Sequence, residues 1–263
     1  MPATSHRPTE RVLDILELLA STPEGLTLTE ISHTLDAPKS SIMPLVHTMA
    51  HRKFIFLNKN TSRYQIGIAA FSVGTSYTSS MTALEFIHQE MKTIVRQTQE
   101  TCQLGIQEQS NLLYIAKEES EAPIRLVSYV GKRMPLYCTA MGKAILSHAS
   151  PQKVRELYPR GLYPVTPKTI TDFDVLLREL ELCRIREYAE EREEATEQIL
   201  CIAVSLVKDH EVVGGLSVSV PIYRDTPEKS ERIITLLKES KGKIEAYFRE
   251  NDLDASSLTL LHP

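Results

Sequence analysis

The chain has 263 residues, 42% of them hydrophobic and 24% charged, with a net charge of −4. That mixture excludes a disordered chain, and the lack of any apolar run of about 18 residues argues against a transmembrane helix. The cysteines Cys102, Cys138, Cys183 and Cys201 are widely spaced and never form Cys-x-x-Cys, so neither a disulfide framework nor a structural zinc site is expected and a reducing cytoplasm fits best.

The first predicted helix covers residues 10–20, where Val12, Leu13, Ile15, Leu16, Leu18 and Leu19 make one broad apolar face. Thr22-Pro23-Glu24-Gly25 breaks it. Thr27-x-x-Glu30 is a capping box: the hydroxyl and the carboxylate each satisfy a free backbone amide at the start of a second, short helix. Leu28, Ile31 and Leu35 turn inward on that helix. Asp36-Ala37-Pro38 opens a third helix, with Pro38 at its first position. There Ile42, Leu45 or Val46, and Met49 face the core, while Lys39, Ser40, Ser41, Met43 and His47 lie opposite.

Pro44 conflicts with this third helix. It removes an internal hydrogen bond at a cost of about 3 kcal/mol and pushes Met43 out of the helical region. The expectation is a helix that starts late, capped by Ser40 or Ser41, or one bent near Met43. Residues 54–57 and 63–66 flank a polar five-residue loop and read as a β-hairpin.

Two short helices in tight succession followed by a hairpin are the pattern of a winged helix-turn-helix, whose second helix enters the major groove of DNA. Residues 37–84 contain no Asp or Glu, yet hold Lys39, Arg52, Lys53, Lys59 and Arg63 with His47 and His51. Such a local basic surface on an acidic protein can hold phosphates. The candidate DNA contacts are Thr27, Thr29, Lys39, Ser40, Ser41, Met43, His47, Arg52, Lys59 and Arg63, with Lys59 and Arg63 reaching phosphates from the wing. Double-stranded operator DNA is the expected partner. A protein-interaction module is the alternative for the same small fold.

Further along, residues 68–98 are helix-compatible, with Leu84, Ile87, Met91, Ile94 and Val95 on one face and a break expected within the small, hydroxyl-rich stretch 74–82. Strands are predicted at 102–107, 112–116 and 124–129, and helices at 141–148, 151–158, 172–187 and 228–249. Two β-rich runs, 199–207 and 212–220, flank Lys208-Asp209-His210-Glu211, a predicted hairpin. The pattern is that of a sheet with helices packed on it.

Several groups here suit a ligand. Cys138-Thr139-Ala140-Met141-Gly142-Lys143 leads into a helix, where an organic-acid carboxylate could bind the amides of Ala140 and Met141. Ser217 and Ser219 alternate along a strand and so face one side. Cys201 begins a neighbouring strand, and the acidic loop 190–194 carries Glu191. Each has a plainer alternative: half-exposed strand serines, a buried inert thiol, a solvated charge run, and a surface Lys143. No GxSxG, GxGxxG, P-loop or HExxH motif is present and no Cys sits in a nucleophile turn. Neither an enzyme nor a cofactor is expected.

From about Thr9 to Phe248 the chain resembles the isocitrate lyase regulator (IclR) family of bacterial transcription factors. The resemblance rests on ERVLDILELLA, LTLTEIS, PKSSIMPLVHTM and RYQIG, and then on VGKRMPLYCTAMGKAILSH (130–148), TPKTITDFDVLLREL (166–180), EYAEEREE (187–194), CIAVSLV (201–207) and GGLSVSVP (214–221). It implies an α+β protein with a winged helix-turn-helix (1–66), a linker helix (67–81), a GAF-like α/β effector-binding domain (82–250) and a C-terminal tail (251–263). It further implies a homodimer or homotetramer with no membrane association. Ala140, Met141, Glu191, Cys201, Ser217 and Ser219 match positions that line the family's effector cleft. The function implied is repression of a catabolic operon under control of a small organic or sugar acid, with an aromatic compound as the alternative effector. The chain departs from the family at Glu187 and Gln198, where Gly is favoured, at Ser205, where Pro is favoured, and at Pro44, where Arg is usual.

Overall fold

The computed structural model describes residues 6–78, 82–122, 129–254 and 258. The chain separates into two compact units, Met1–Ser80 and Met81–Pro263.

In the first unit, α1 (Arg7–Ala20), α2 (Leu28–Thr34) and α3 (Lys39–His51) precede the strands β1 (Ile55–Asn58) and β2 (Arg63–Ile66), and α4 (Ile68–Thr78) follows. Ile15, Leu19, Ile31, Ile42, Val46, Met49 and Ile55 form the core. The broad face expected for α1 is narrower than its sequence suggests: Leu13 is 54% exposed. It lies about 200° around the helix from Ile15, so both cannot face one core. The capping box forms as read, with Thr27 Oγ1 accepting from the Glu30 amide at 3.2 Å and Glu30 Oε2 accepting from the Thr27 amide at 2.7 Å. Gly25 has φ +74°, and a Cβ there would stand 2.5 Å from the Tyr64 carbonyl, so only glycine allows the Leu26–Tyr64 bridge beside it.

The third helix corrects two expectations. Pro38 is its N-cap rather than its first residue, and α3 does not start late but runs from Lys39 through Pro44 to His51. The missing amide of Pro44 leaves the Ser40 carbonyl without its helical donor, but Ser40 is exposed and water can serve it. Burying Ile42 and Val46 contributes about 1.5–3 kcal/mol each, which outweighs the proline cost of about 3 kcal/mol. The hairpin pairs Ile55 with Ile66 through Asn58 with Arg63, leaving a four-residue loop rather than five.

The second unit holds α5 (Thr82–Thr98), β3 (Thr101–Glu108), β4 (Asn111–Glu118), β5 (Arg133–Pro135), α6 (Ala140–Leu146), α7 (Pro151–Leu157), α8 (Phe173–Arg186), β6 (Ala189–Arg192), β7 (Ile199–Lys208), β8 (Glu211–Pro221) and α9 (Pro227–Glu250). Among the described residues the six strands form an antiparallel sheet in the order β5-β4-β3-β8-β7-β6. Helix α6 packs on β6, β7 and β8, and α9 packs on β7 and α5. The hairpin joining β7 and β8 turns on Asp209 and His210, both with positive φ (49° and 71°), as a two-residue turn demands. Residues 124–128 of the strand expected at 124–129 lie outside the described residues. Of the acidic segment read as a loop at 190–194, residues 190–192 belong to strand β6 and only Glu193 and Glu194 lie outside it. Its alternating burial, with Ala189 and Glu191 inward, was hidden by the charge of its residues.

Glu187 has φ 61° and Gln198 has φ 62°. Both lie in the left-handed region, which explains in physical terms why glycine suits these two positions.

Candidate functional site

The first candidate surface is the outward side of α3. Lys39, Ser40, Met43 and His47 are exposed, opposite the buried Ile42, Val46 and Met49. Ser41 is half-buried and its hydroxyl donates to the Pro38 carbonyl at 2.8 Å. Thr29, Arg52 and Lys59 are exposed, whereas the Thr27 hydroxyl is occupied by the capping box.

Arg63 is a correction. Its guanidinium does not project from the wing but donates to the Gly25 carbonyl at 2.7 Å and to both Glu30 oxygens at 3.1 and 3.2 Å. The carboxylate that caps α2 also captures the first residue of β2. Bonds from Thr27, and then the charge of Arg63, hold the Glu30 carboxyl below its ordinary value.

The second candidate is a pocket at the start of α6, bordered by Tyr114, Lys132, Met141, Glu191, Cys201 and Ser217. Its volume is about 20 Å³, enough for about one water molecule. Strand register builds it: Glu191 on β6 lies opposite Cys201 on β7, and Cys201 lies opposite Ser219 on β8. Glu191 is 1% exposed. Its Oε2 accepts from the amides of Glu194 and Ala195 at 2.8 and 3.3 Å, and its Oε1 is buried with no hydrogen-bond partner among the described residues. Burial pushes this carboxyl up to about 7, and the bonds it accepts offset only part of the rise. Burial and the neighbouring Glu191 likewise push the Cys201 thiol well above its ordinary value, so it is no thiolate nucleophile.

Ala140 and Met141 stand at the mouth of the helix. Thr139 caps it, accepting from the Gly142 amide at 3.0 Å. The amides of Ala140 and Met141, first and second in α6, have no intrahelical carbonyl to meet. A Cβ on Gly142 would stand 2.0 Å from the Leu136 carbonyl, which is how the preceding turn is brought so close under the helix. Ser217 borders the pocket, but Ser219 does not: its hydroxyl donates to Gln103 Oε1 at 3.1 Å and touches Cys201 Sγ at 3.3 Å.

Sequence reasoning missed Tyr114 and Lys132. Lys132 offered a signal, a cation inside the GKRMPLY block; Tyr114 offered none beyond strand alternation. Lys143 is 1% exposed and pairs with Glu194, so it is neither a surface residue nor an open anion site. Among the described residues no group of His, Cys, Asp and Glu is arranged to hold a metal, and no helix is long and apolar enough to cross a membrane.

Known proteins share both halves. The IclR helix-turn-helix domain matches residues 8–55, and the C-terminal domain of the bacterial transcriptional regulator IclR matches residues 75–246. The HTH-type transcriptional regulator KdgR of Escherichia coli (strain K12) is 29% identical over 92% of this chain and 92% of its own length. The HTH-type transcriptional repressor AllR of Klebsiella pneumoniae is 27% identical over 89% of this chain and 87% of its own. The crystal structure of an IclR transcriptional regulator from Alicyclobacillus acidocaldarius has the same fold, with a TM-score of 0.84 at 24% identity over 92% of this chain and 99% of that one.

Proposed function

The chain belongs to the IclR family of bacterial transcriptional regulators, and on that premise we propose that it represses a catabolic operon in the cytoplasm and answers to a small organic or sugar acid held at Glu191. Its regulatory output is DNA binding, not catalysis. One observation carries the effector class. Lys132 and the amides of Ala140 and Met141, which lack an intrahelical carbonyl, offer donors to a carboxylate, while Glu191 Oε1, buried without a partner among the described residues, meets a hydroxyl as acceptor when ionised and as donor when protonated. With room for about one water the pocket must widen for any organic ligand, and its polar lining, not its volume, favours an oxygenated acid over an aromatic ring. A relative named as a repressor supports the sign of regulation.

On the DNA side, Lys39, Ser40, Met43 and His47 read base edges, and Thr29, Arg52 and Lys59 hold phosphates. Residues 1–66 serve as the DNA-binding domain, 67–81 as the linker and 82–250 as the effector domain. The protein acts as a homodimer or homotetramer, supported by the exposed apolar side chains Ile68, Phe71 and Val73 on α4.

The test is a gel shift with the chain's own upstream DNA at stepped salt, repeated with short hydroxy and oxo acids and with benzoate. A steep loss of affinity with salt and release by a short acid are expected. Salt-independent binding, or release by benzoate alone, would refute the reading.

A further inference from the structure

A second pocket, of about 140 Å³, opens at the opposite end of α6 from Glu191. Its floor is Ser147 and the buried Ser205 of β7, and its rim is His148, Arg184 of α8 and Lys241 of α9. Four elements therefore converge on one hollow.

Each rim group is held by a bond that leaves another donor free. His148 Nε2 meets Ser205 Oγ at 2.8 Å, and in the tautomer where the hydroxyl donates to Nε2 the ring proton is on Nδ1. Arg184 donates from Nε to the Ser147 carbonyl at 2.9 Å and from Nη1 to Glu181 at 2.8 Å, which leaves Nη2. Lys241 donates to the Ser205 carbonyl at 2.6 Å and to Glu245, and an ammonium has a third hydrogen. No acceptor among the described residues meets Nδ1 of His148 or Nη2 of Arg184.

Three carboxylates stand near these cations, Glu187 among the lining residues. Glu245 is shared between Lys241 and the Val207 amide. Glu187 reaches towards Lys238 at 3.5 Å with most of its side chain in solvent, and Glu181 is more than half exposed. Burial first, and then Lys241 and Arg184, hold the His148 imidazole below its ordinary value against the opposing pull of Glu245.

We infer that this hollow is a second ligand site, built for a small oxyanion group, a carboxylate or a phosphate, and separate from the pocket at Glu191. The guanidinium supplies the Nη2 donor, the ammonium a point charge and the imidazole a directed donor, a combination that suits such groups.

The experiment titrates the full chain with inorganic phosphate and, separately, with succinate, at ionic strength held constant with sodium chloride. Thermal shift and the imidazole NMR signals of His148, assigned through His148→Gln, are both followed. A saturable shift with either anion is expected, phosphate alone pointing to a phosphoryl group and succinate alone to a carboxylate. Arg184→Gln, at a half-exposed position that should fold, is expected to weaken binding at least tenfold. No saturable response to either anion overturns the proposal. So does equal binding by parent and Arg184→Gln with unmoved His148 signals, which would place the anion at the other pocket.

Discussion

Arg63 and Glu30 form a two-bond pair, Nη1 donating to Oε2 at 3.1 Å and Nη2 to Oε1 at 3.2 Å. Glu30 is thereby both the cap of α2 and the anchor of β2. A cation that looks from sequence like a phosphate contact is instead the strut that sets the wing against the helix-turn-helix.

Arg63→Ala should therefore lower the melting temperature of the chain yet leave the salt dependence of DNA binding as it was, because no phosphate contact is lost. Arg52→Ala and Lys59→Ala should do the reverse. Each is expected to reduce the slope of log affinity against log salt by about 0.9 with the melting temperature held. Binding measured at four salt concentrations separates the two classes. A slope change in Arg63→Ala would return that residue to the DNA face.

Much of this architecture was legible in the chain. The capping box Thr27–Glu30, the helices α6 to α9 and the two-residue hairpin at Asp209-His210 follow from local chemistry, in which a few neighbouring residues decide the outcome. What escaped depends on residues far apart in sequence. Strand β6 reads as a solvated charge run because its partners, Cys201 across the ladder and Lys143 at the Glu190 carbonyl, lie on other elements. Lys132 and Tyr114 reach the Glu191 pocket only through the β4–β5 pairing. The fate of Pro44 turned on a comparison of energies, core burial against a lost hydrogen bond, that pattern alone does not weigh.

The left-handed residues allow a direct test. Glu187 has a side chain largely in solvent, so Glu187→Gly should relieve backbone strain and raise stability by about 1 kcal/mol. Gln198→Gly relieves the same strain but loses the bond from the Gln198 side-chain amide to Glu193 Oε1, 3.2 Å long. Its gain should be smaller. Urea melts of both variants check the order. A loss in Glu187→Gly would mean its side chain contributes more than its conformation costs.

Lys143 and Glu194 form a buried ion pair beneath the acidic strand, and burial still raises the Glu194 carboxyl despite the neighbouring ammonium. Lys143→Met alone strands that carboxylate and should cost about 3–5 kcal/mol. Glu194→Gln added to Lys143→Met should recover most of the loss, since the cost lies in the unpaired charge rather than in the missing bond. A double variant as unstable as the single one would show that the lysine matters for its packing alone.

The last expectation concerns pH. Glu191 keeps its proton in the folded chain up to about 7, against an ordinary value of 4.5. Below 4.5 the group is neutral whether folded or not, and it contributes nothing to the pH dependence. Between those values the unfolded chain has released a proton that the folded chain retains, so stability falls as pH rises. Above 7 the burial cost of the charge is complete, at about 3 kcal/mol. Glu191→Gln carries no charge at any pH, whatever constant penalty its amide brings. Its stability relative to the parent should therefore climb by about that amount from pH 5 to pH 8, followed by urea melts across the range. A gap that stays flat would mean that Glu191 is already ionised at the acid end, with a partner for its second oxygen that compensates the burial.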